Sequence, residues 1–78
     1  MNLRLTDRES EVMELVCSGL SSNGIADRLG LKRSSISSHF RRIYKKYGLK
    51  NNAQWNIKML AVRKYLENKR KFYEQMQN

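Results

Sequence analysis

The sequence contains no proline, one cysteine and one histidine among its 78 residues. A single cysteine, Cys17, cannot form an internal disulfide and fits a reducing compartment. Cys17 and His39 together are too few to supply the three or four ligands of a zinc site. No apolar run approaches the roughly 20 residues that cross a bilayer, and charges recur from Arg4 onward, so no signal peptide is predicted. We therefore expect no metal, no cofactor and no membrane partner.

Acidic residues are also scarce. Lysine and arginine number 16 against 7 aspartates and glutamates, which gives a net charge of +9 and a pI near 10.1. Residues 1–31 hold three basic and five acidic residues, whereas residues 32–78 hold thirteen and two. This excess favours a polyanionic partner, such as nucleic acid, an anionic membrane surface or an acidic protein. The length indicates one small domain, residues 1–78.

Apolar residues recur at helical spacing, and no segment alternates as a strand does. Thr6 and Glu9 form a capping-box pattern before the first helix. Ser21 or Ser22 would cap the second helix, and Gly30 and Gly48 mark the ends of the second and third. The fold class predicted is all-α, with four helices at about residues 7–18, 22–29, 33–47 and 52–76. Asn51 is the expected cap of the fourth, extended helix.

The second and third helices form a helix-turn-helix pattern. Ala26 is small enough for two helices to cross closely, and Gly30 permits a sharp turn between them. Leu31 and Ile36 would then hold the third helix against the second. A plain helical bundle is the alternative interpretation of this pattern.

The outward face of the third helix carries short hydroxyls in its first half and cations in its second half. No acidic residue occurs between positions 32 and 50. Short side chains let a helix enter the major groove, where arginine and lysine reach phosphates or guanine edges. A charge run that only solubilises the helix is the alternative. The predicted DNA-binding residues are Arg33, Ser34, Ser35, Ser37, Ser38, Arg41, Arg42, Lys45, Lys46 and Lys50.

The fourth helix has two apolar faces. One face, which includes Ile57 and Ala61, should pack on the core, but it turns to Lys64 and Lys71 farther along, so we expect the helix to extend past its own domain. The opposite face has the spacing of a coiled-coil seam. A second copy of the chain is the predicted partner; docking to another regulator or a partly exposed tail are the alternatives. The predicted dimer-interface residues are Trp55, Met59, Val62, Leu66 and Tyr73, with Met76 continuing the seam.

Nothing in the sequence favours catalysis. His39 lies at the edge of the inward face of the third helix, where a structural hydrogen-bonding role is expected. No serine, cysteine or carboxylate is spaced to form a catalytic relay with it. Met13, Met59 and Met76 are interpreted as packing residues. We therefore expect that the protein is not an enzyme.

Three segments resemble the LuxR/GerE-type helix-turn-helix DNA-binding domains, and a stand-alone form of the domain is expected. The opening L-T-D-R-E-S-E-V is similar to the family pattern L-T-x-R-E-x-E-V. A second stretch fits the family pattern G-x-S-x-x-x-I-A-x-x-L-x-I through Gly19, Leu20, Ser21, Ile25, Ala26, Leu29 and Leu31. A third is similar to T-V-x-x-H-x-x-x-I-x-x-K-L-G-V through Ile36, His39, Ile43, Tyr44, Lys46, Gly48 and Leu49, so that the resemblance covers about residues 3–62. It implies a bacterial transcription regulator that binds DNA as a dimer, with the third helix in the major groove. The fourth helix often supplies the dimer contacts in this family.

Three positions depart from the family pattern. Lys32 replaces a serine cap, so the cap of the third helix is expected to move to Ser34. Gly24 replaces a common glutamate, which should weaken the start of the second helix. Ser37 replaces a frequent lysine that contacts DNA. Region 4 of sigma factors shares much of the pattern, but it usually has an arginine where His39 stands.

The expected function is therefore sequence-specific DNA binding by a cytoplasmic, nucleoid-associated regulator whose partners are double-stranded DNA and a second copy of the chain. The alternative is an interaction protein that binds a related regulator through the fourth helix and antagonises or retunes it. A basic helix on a membrane surface is less favoured, because the apolar stripe has heptad spacing.

Overall fold

The computed structural model of the protein describes residues 4–50 and 56–76, with side chains up to residue 70. These residues form four α-helices and no strand, which confirms the all-α fold class. The first three helices end within one residue of their predicted ends. The helices are α1 (Asp7–Cys17), α2 (Ser22–Leu29), α3 (Arg33–Lys46) and α4 (Ile57–Met76).

Local hydrogen bonds explain where α1 and α2 begin and end. The Thr6 hydroxyl accepts the N–H of Glu9 at 3.1 Å, and the Glu9 carboxylate accepts the N–H of Thr6 at 2.8 Å, which is the predicted capping box. Ser21 rather than Ser22 caps α2, by accepting the N–H of Gly24 at 3.2 Å. At the end of α2, Gly30 has a φ of +67°, a left-handed conformation that favours glycine.

The start of α3 corrects one expectation. The helix begins after Lys32, whose side chain forms no capping hydrogen bond, and the predicted shift of the cap to Ser34 is wrong. The carbonyl of Lys32 accepts the N–H groups of Ser35 and Ile36 at 3.0 and 3.3 Å. Because these bonds already form the first turn, Ser34 lies inside the helix and has no capping conformation.

The start of α4 corrects a second expectation. The helix begins at Ile57, not near Asn52, and Asn56 takes the capping role that was assigned to Asn51. The Asn56 side-chain oxygen accepts the N–H groups of Lys58 and Met59 at 3.1 and 3.3 Å, which satisfies two amides that the helix itself leaves unpaired. Asn51, Asn52 and Ala53 lie outside the described residues.

The core lies where the four helices meet, and every helix contributes to it. Most of its members have no exposed surface, and they come from one face of each helix, as the periodicity predicts. Burial of these side chains holds one face of α3 against the other helices and leaves the opposite face toward solvent. The core residues are Val12, Met13, Ile25, Ala26, Ile36, Phe40, Ile43 and Ala61.

The fourth helix stays attached to α1 beyond the point where its core face was expected to end. The Tyr65 hydroxyl donates to the Glu14 carboxylate at 2.6 Å, and the Lys69 amine lies 3.0 Å from both oxygens of the same carboxylate. The hydrogen bond from Tyr65, followed by that from Lys69, lowers the pKa of Glu14. Burial, with the bond to Glu14, raises the pKa of Tyr65. Two further turns of α4 therefore remain in contact with α1.

Candidate nucleic-acid interface

The helices α2 and α3 pack as a helix-turn-helix. Ile25 and Ile36 are fully buried between them, and Ala26 is 5% exposed, so the two backbones approach closely. Gly30 ends α2, and the N–H of Leu31 then bonds to the carbonyl of Ala26 at 2.9 Å. These contacts fix the orientation of α3 and present its opposite face to solvent.

The outward face of α3 carries seven of the ten predicted site residues. These seven are exposed, Ser35 and Lys46 are half-buried, and Lys50 is exposed just beyond the helix. In residues 4–50 and 56–70, no carboxylate pairs with Arg33, Arg41, Arg42, Lys45 or Lys50. Their charges are therefore not neutralised within the described part of the chain. The seven exposed residues are Arg33, Ser34, Ser37, Ser38, Arg41, Arg42 and Lys45.

In the first half of the outward face of α3, the side chains are short and project little from the helix. The Ser38 hydroxyl donates to the backbone carbonyl of Ser34 at 3.1 Å, one turn earlier. This bond holds the side chain close to the helix and leaves the oxygen lone pairs to accept from a donor outside the protein. The serine side chains therefore extend only a short distance from the helix, whereas the arginine and lysine side chains of the second half extend farther.

Lys46 differs from the other predicted site residues. Its amine forms a salt bridge with Glu9 on α1 and donates to the carbonyl of Arg4 at 3.2 Å. Glu9 is 3% exposed. Burial raises the pKa of Glu9, but the hydrogen bonds from Lys46 and Thr6 and the charge of Lys46 outweigh it, so the pKa is lowered overall. Lys46 therefore joins the end of α3 to the start of α1, and a DNA contact from its amine stays a prediction.

We expect Glu9→Gln to lower the free energy of unfolding by about 1–3 kcal/mol at neutral pH, since it removes a nearly buried charged acceptor from its partly exposed partner Lys46. The pKa of Glu9 is lower in the folded chain, so its contribution is present above the ordinary glutamate value of 4.5 and is lost as the pH falls through the folded value. Urea unfolding at neutral pH and below that value measures the difference.

Glu11→Gln is the matched control on the same helix. Glu11 pairs with Arg8 at 3.3 Å, and both side chains are about half exposed. An exposed pair of this kind contributes about 0–1 kcal/mol, so the variant should unfold close to the parent. Equal losses in the two variants, or a Glu9→Gln loss that does not shrink at low pH, would contradict the assigned role of the Glu9–Lys46 pair.

The beginning of α4 is tied to both helices of the helix-turn-helix. The Lys58 amine lies 4.9 Å from the centre of the Phe40 ring and 3.4 Å from the Ser22 hydroxyl oxygen. The sequence pattern predicts no role for Lys58, because its partners lie 18 and 36 positions away along the chain. This contact helps to set the position of α4 relative to α3.

The predicted seam on α4 is only partly on the surface. Met59 is 62% and Leu66 is 48% exposed. Val62 is half-buried and packs against the core, so only part of this side chain is available to a partner. Trp55 and the side chains of Tyr73 and Met76 lie outside the described residues.

His39 does not show the expected hydrogen bonding at one of its nitrogens. Its Nδ1 atom is buried and has no hydrogen-bond partner in the part of the chain that the structure describes.

The same part of the chain contains no group of three histidine, cysteine, aspartate or glutamate residues that could hold a metal ion. It also contains no helix with the length and apolar character needed to cross a membrane.

Comparison with known proteins found two similarities. A family model described as bacterial regulatory proteins, luxR family (GerE), matches residues 3–68. The sequence is also similar to the transcriptional regulatory protein DesR of Bacillus subtilis (strain 168), with 38% identity over 50 residues. That alignment covers 64% of this chain and 25% of the relative, so the chain spans about a quarter of the relative's length. No solved structure gave a significant match.

Proposed function

Because this chain belongs to the luxR family of bacterial regulatory proteins, we propose that it is a sequence-specific DNA-binding transcription regulator that reads the major groove with α3. The observation that carries the proposal is the outward face of α3. Its exposed cations have no counter-ion in the described chain, and short serines lie beside them. This combination suits a helix that enters a groove lined by phosphates.

The two halves of the face would play different parts. The major groove is about 12 Å wide and admits an α-helix, and the serines near the start of α3 would let its backbone approach the base edges. Arg41 and Lys45 follow one turn apart and would reach phosphates or guanine acceptors. Phosphate contacts would set the register of the helix, while Ser34, Ser37 and Ser38 would influence which bases are preferred.

We further propose that two copies pair through α4. Met59 and Leu66 are separated by seven residues, which is two turns, so they lie along one stripe of the helix. Both side chains are large, apolar and about half exposed or more. The α4 of a second copy would cover this stripe and would place two α3 helices on half-sites about one DNA turn, roughly 34 Å, apart.

The same stripe would also accept the equivalent helix of a related regulator. A mixed pair of that kind is the second candidate, in which this chain antagonises or retunes its partner. In either case we propose that residues 1–78 form a single domain without catalytic activity. We also propose that the protein acts on double-stranded DNA, in the cytoplasm at the nucleoid.

Selection of bound sites from random duplex DNA tests the proposal. At about 150 mM salt we expect the purified chain to select an inverted repeat whose half-site centres lie about 10–10.5 base pairs apart, or a multiple of that spacing. Binding without a preferred sequence, lost steeply as salt rises, would contradict the proposed function. Selective binding to a single half-site would contradict only the pairing of two copies.

A further inference from the structure

A groove of about 460 Å³ runs between α3, from Ser37 onward, and the start of α4. One side of it is the cationic part of the outward face of α3, and the other side is apolar. DNA binding accounts for the cations but not for the apolar side, because the DNA backbone presents mainly charged and polar groups to a protein. Among the described residues, the lining consists of Ser37, Arg41, Tyr44, Lys45, Leu49 and Ile57.

The apolar side of the groove is held in place by local contacts. The Tyr44 ring stacks on Phe40, with ring centres 5.8 Å apart and planes at 24°. The N–H of Leu49 bonds to the carbonyl of Tyr44 at 2.9 Å, and the Leu49 side chain packs against the core and lines the same groove. Ile57 is the first residue of α4 and is half-buried. An apolar ligand would therefore meet a wall that is already formed.

The rim of the groove is cationic. Arg41 and Lys45 are exposed, lie one helical turn apart and pair with no carboxylate in the described ranges. Ser37 adds a hydroxyl one turn before Arg41. A bidentate guanidinium beside an ammonium suits a carboxylate and repels a cation.

We propose that this groove binds a small amphiphilic carboxylate, with the acid group on Arg41 and Lys45 and the apolar body against Tyr44, Leu49 and Ile57. Its volume lies within the range of about 300–1,000 Å³ that is typical of small-molecule sites. Because the same two cations serve the proposed DNA contact, the ligand and DNA exclude each other, and the ligand releases the protein from DNA. That release depends on the proposed function, whereas binding of the carboxylate does not.

Octanoate, titrated into the ¹⁵N-labelled chain without DNA, tests the binding directly. We expect saturable shifts of the amide signals of the groove residues. Acetate, which lacks an apolar body, and octylamine, which has the opposite charge, should produce no such shifts at the same concentration. Shifts from octanoate that centre on Met59 and Leu66, or equal shifts from octylamine, would overturn the proposal.

Substitution of the two rim cations distinguishes charge-dependent binding of octanoate from non-specific apolar binding. The double variant Arg41→Gln, Lys45→Gln should bind octanoate at least about tenfold more weakly, since it loses both charge-assisted contacts. Both positions are exposed, so the fold should be retained, which far-UV circular dichroism checks. Lys64→Gln, an exposed cation of α4 outside the groove, is the control and should bind as the parent does. Unchanged affinity in the double variant would overturn the assignment.

A labelled duplex carrying the selected site then tests the release. Octanoate should displace the parent chain from this duplex over the same concentration range that shifts the amide signals. Amide shifts in a chain that binds no DNA would leave the carboxylate site intact and contradict the proposed function. DNA binding in a chain that shows no amide shifts would overturn this inference alone. Octanoate bound together with DNA would overturn the release.

Discussion

The double variant Arg41→Ala, Lys45→Ala is expected to bind the selected duplex about a hundredfold more weakly than the parent chain, without loss of folding. Each lost contact to a phosphate or a guanine edge costs about 1–3 kcal/mol, and two such losses account for the expected factor. Both side chains are exposed and form no salt bridge within the described ranges. Their removal should therefore change the free energy of unfolding by less than about 0.5 kcal/mol.

Fluorescence anisotropy over a series of salt concentrations measures this effect. Each phosphate contact contributes about 0.9 to the slope of log affinity against log salt, so loss of two phosphate contacts should flatten the slope by about 1.8. A weaker affinity with the parent's slope would assign both residues to base edges instead.

A matched control removes two charges elsewhere. Arg8→Ala, Lys64→Ala lowers the net charge by the same amount from α1 and α4, and it should have a much smaller effect on affinity. Equal weakening in the two double variants would mean that total charge, rather than α3, determines binding. Unchanged binding in the α3 variant would remove α3 from the interface.

Leu66→Glu is expected to convert a dimer into a monomer and to weaken binding to the two-half-site duplex by about 10²–10⁴-fold. The physical reason is that pairing makes the second half-site contact intramolecular, and an effective concentration of this kind raises affinity by that range. A glutamate on the stripe would lie buried and unpaired at the dimer contact, which is strongly unfavourable. Leu66 is 48% exposed in the single chain, so the variant should still fold.

Light scattering at tens of micromolar protein measures the mass, and anisotropy on one-half-site and two-half-site duplexes measures binding. Lys64→Gln is the control, because it changes the net charge by the same single unit on the same helix. At about 100° per residue it lies roughly 200° from Leu66. We expect the control to stay dimeric. A parent chain that is monomeric at these concentrations, or a Leu66→Glu chain that remains dimeric, would contradict pairing through α4.

The parts of the fold that depend on neighbouring residues could be predicted from the sequence. Thr6 and Glu9 are three residues apart and form their capping box through backbone amides within one turn. Gly30 adopts a left-handed conformation at the point where the apolar pattern of α2 stops. The start of α4 was missed because Asn51, Asn52 and Asn56 are all suitable caps, and the sequence pattern does not show which of them satisfies the first amides of the helix.

The orientation of α4 could not be predicted in the same way. The heptad spacing assigns Val62 to the outer seam, yet the structure packs it against the core. The contact from Tyr65 to Glu14 links residues 51 positions apart and holds a face of α4 that includes Tyr65 against α1. Tyr65 follows Ala61 at helical spacing, but the core face was predicted to end at Lys64, and the partner of Tyr65 is a carboxylate on another helix that the local pattern does not reveal.

The positive outward face of α3 was determined by the sequence alone, because helical periodicity places its serines and cations on one side and no acid interrupts residues 32–50. Only the tertiary structure decided which of these cations is committed to the protein itself. Lys45 and Lys46 are adjacent and chemically identical, yet Lys46 meets the buried carboxylate of Glu9, 37 positions earlier, while Lys45 faces solvent. Their difference arises because one helical step rotates a side chain by about 100°, and the packing of α1 against α3 places a carboxylate on only one of the two sides.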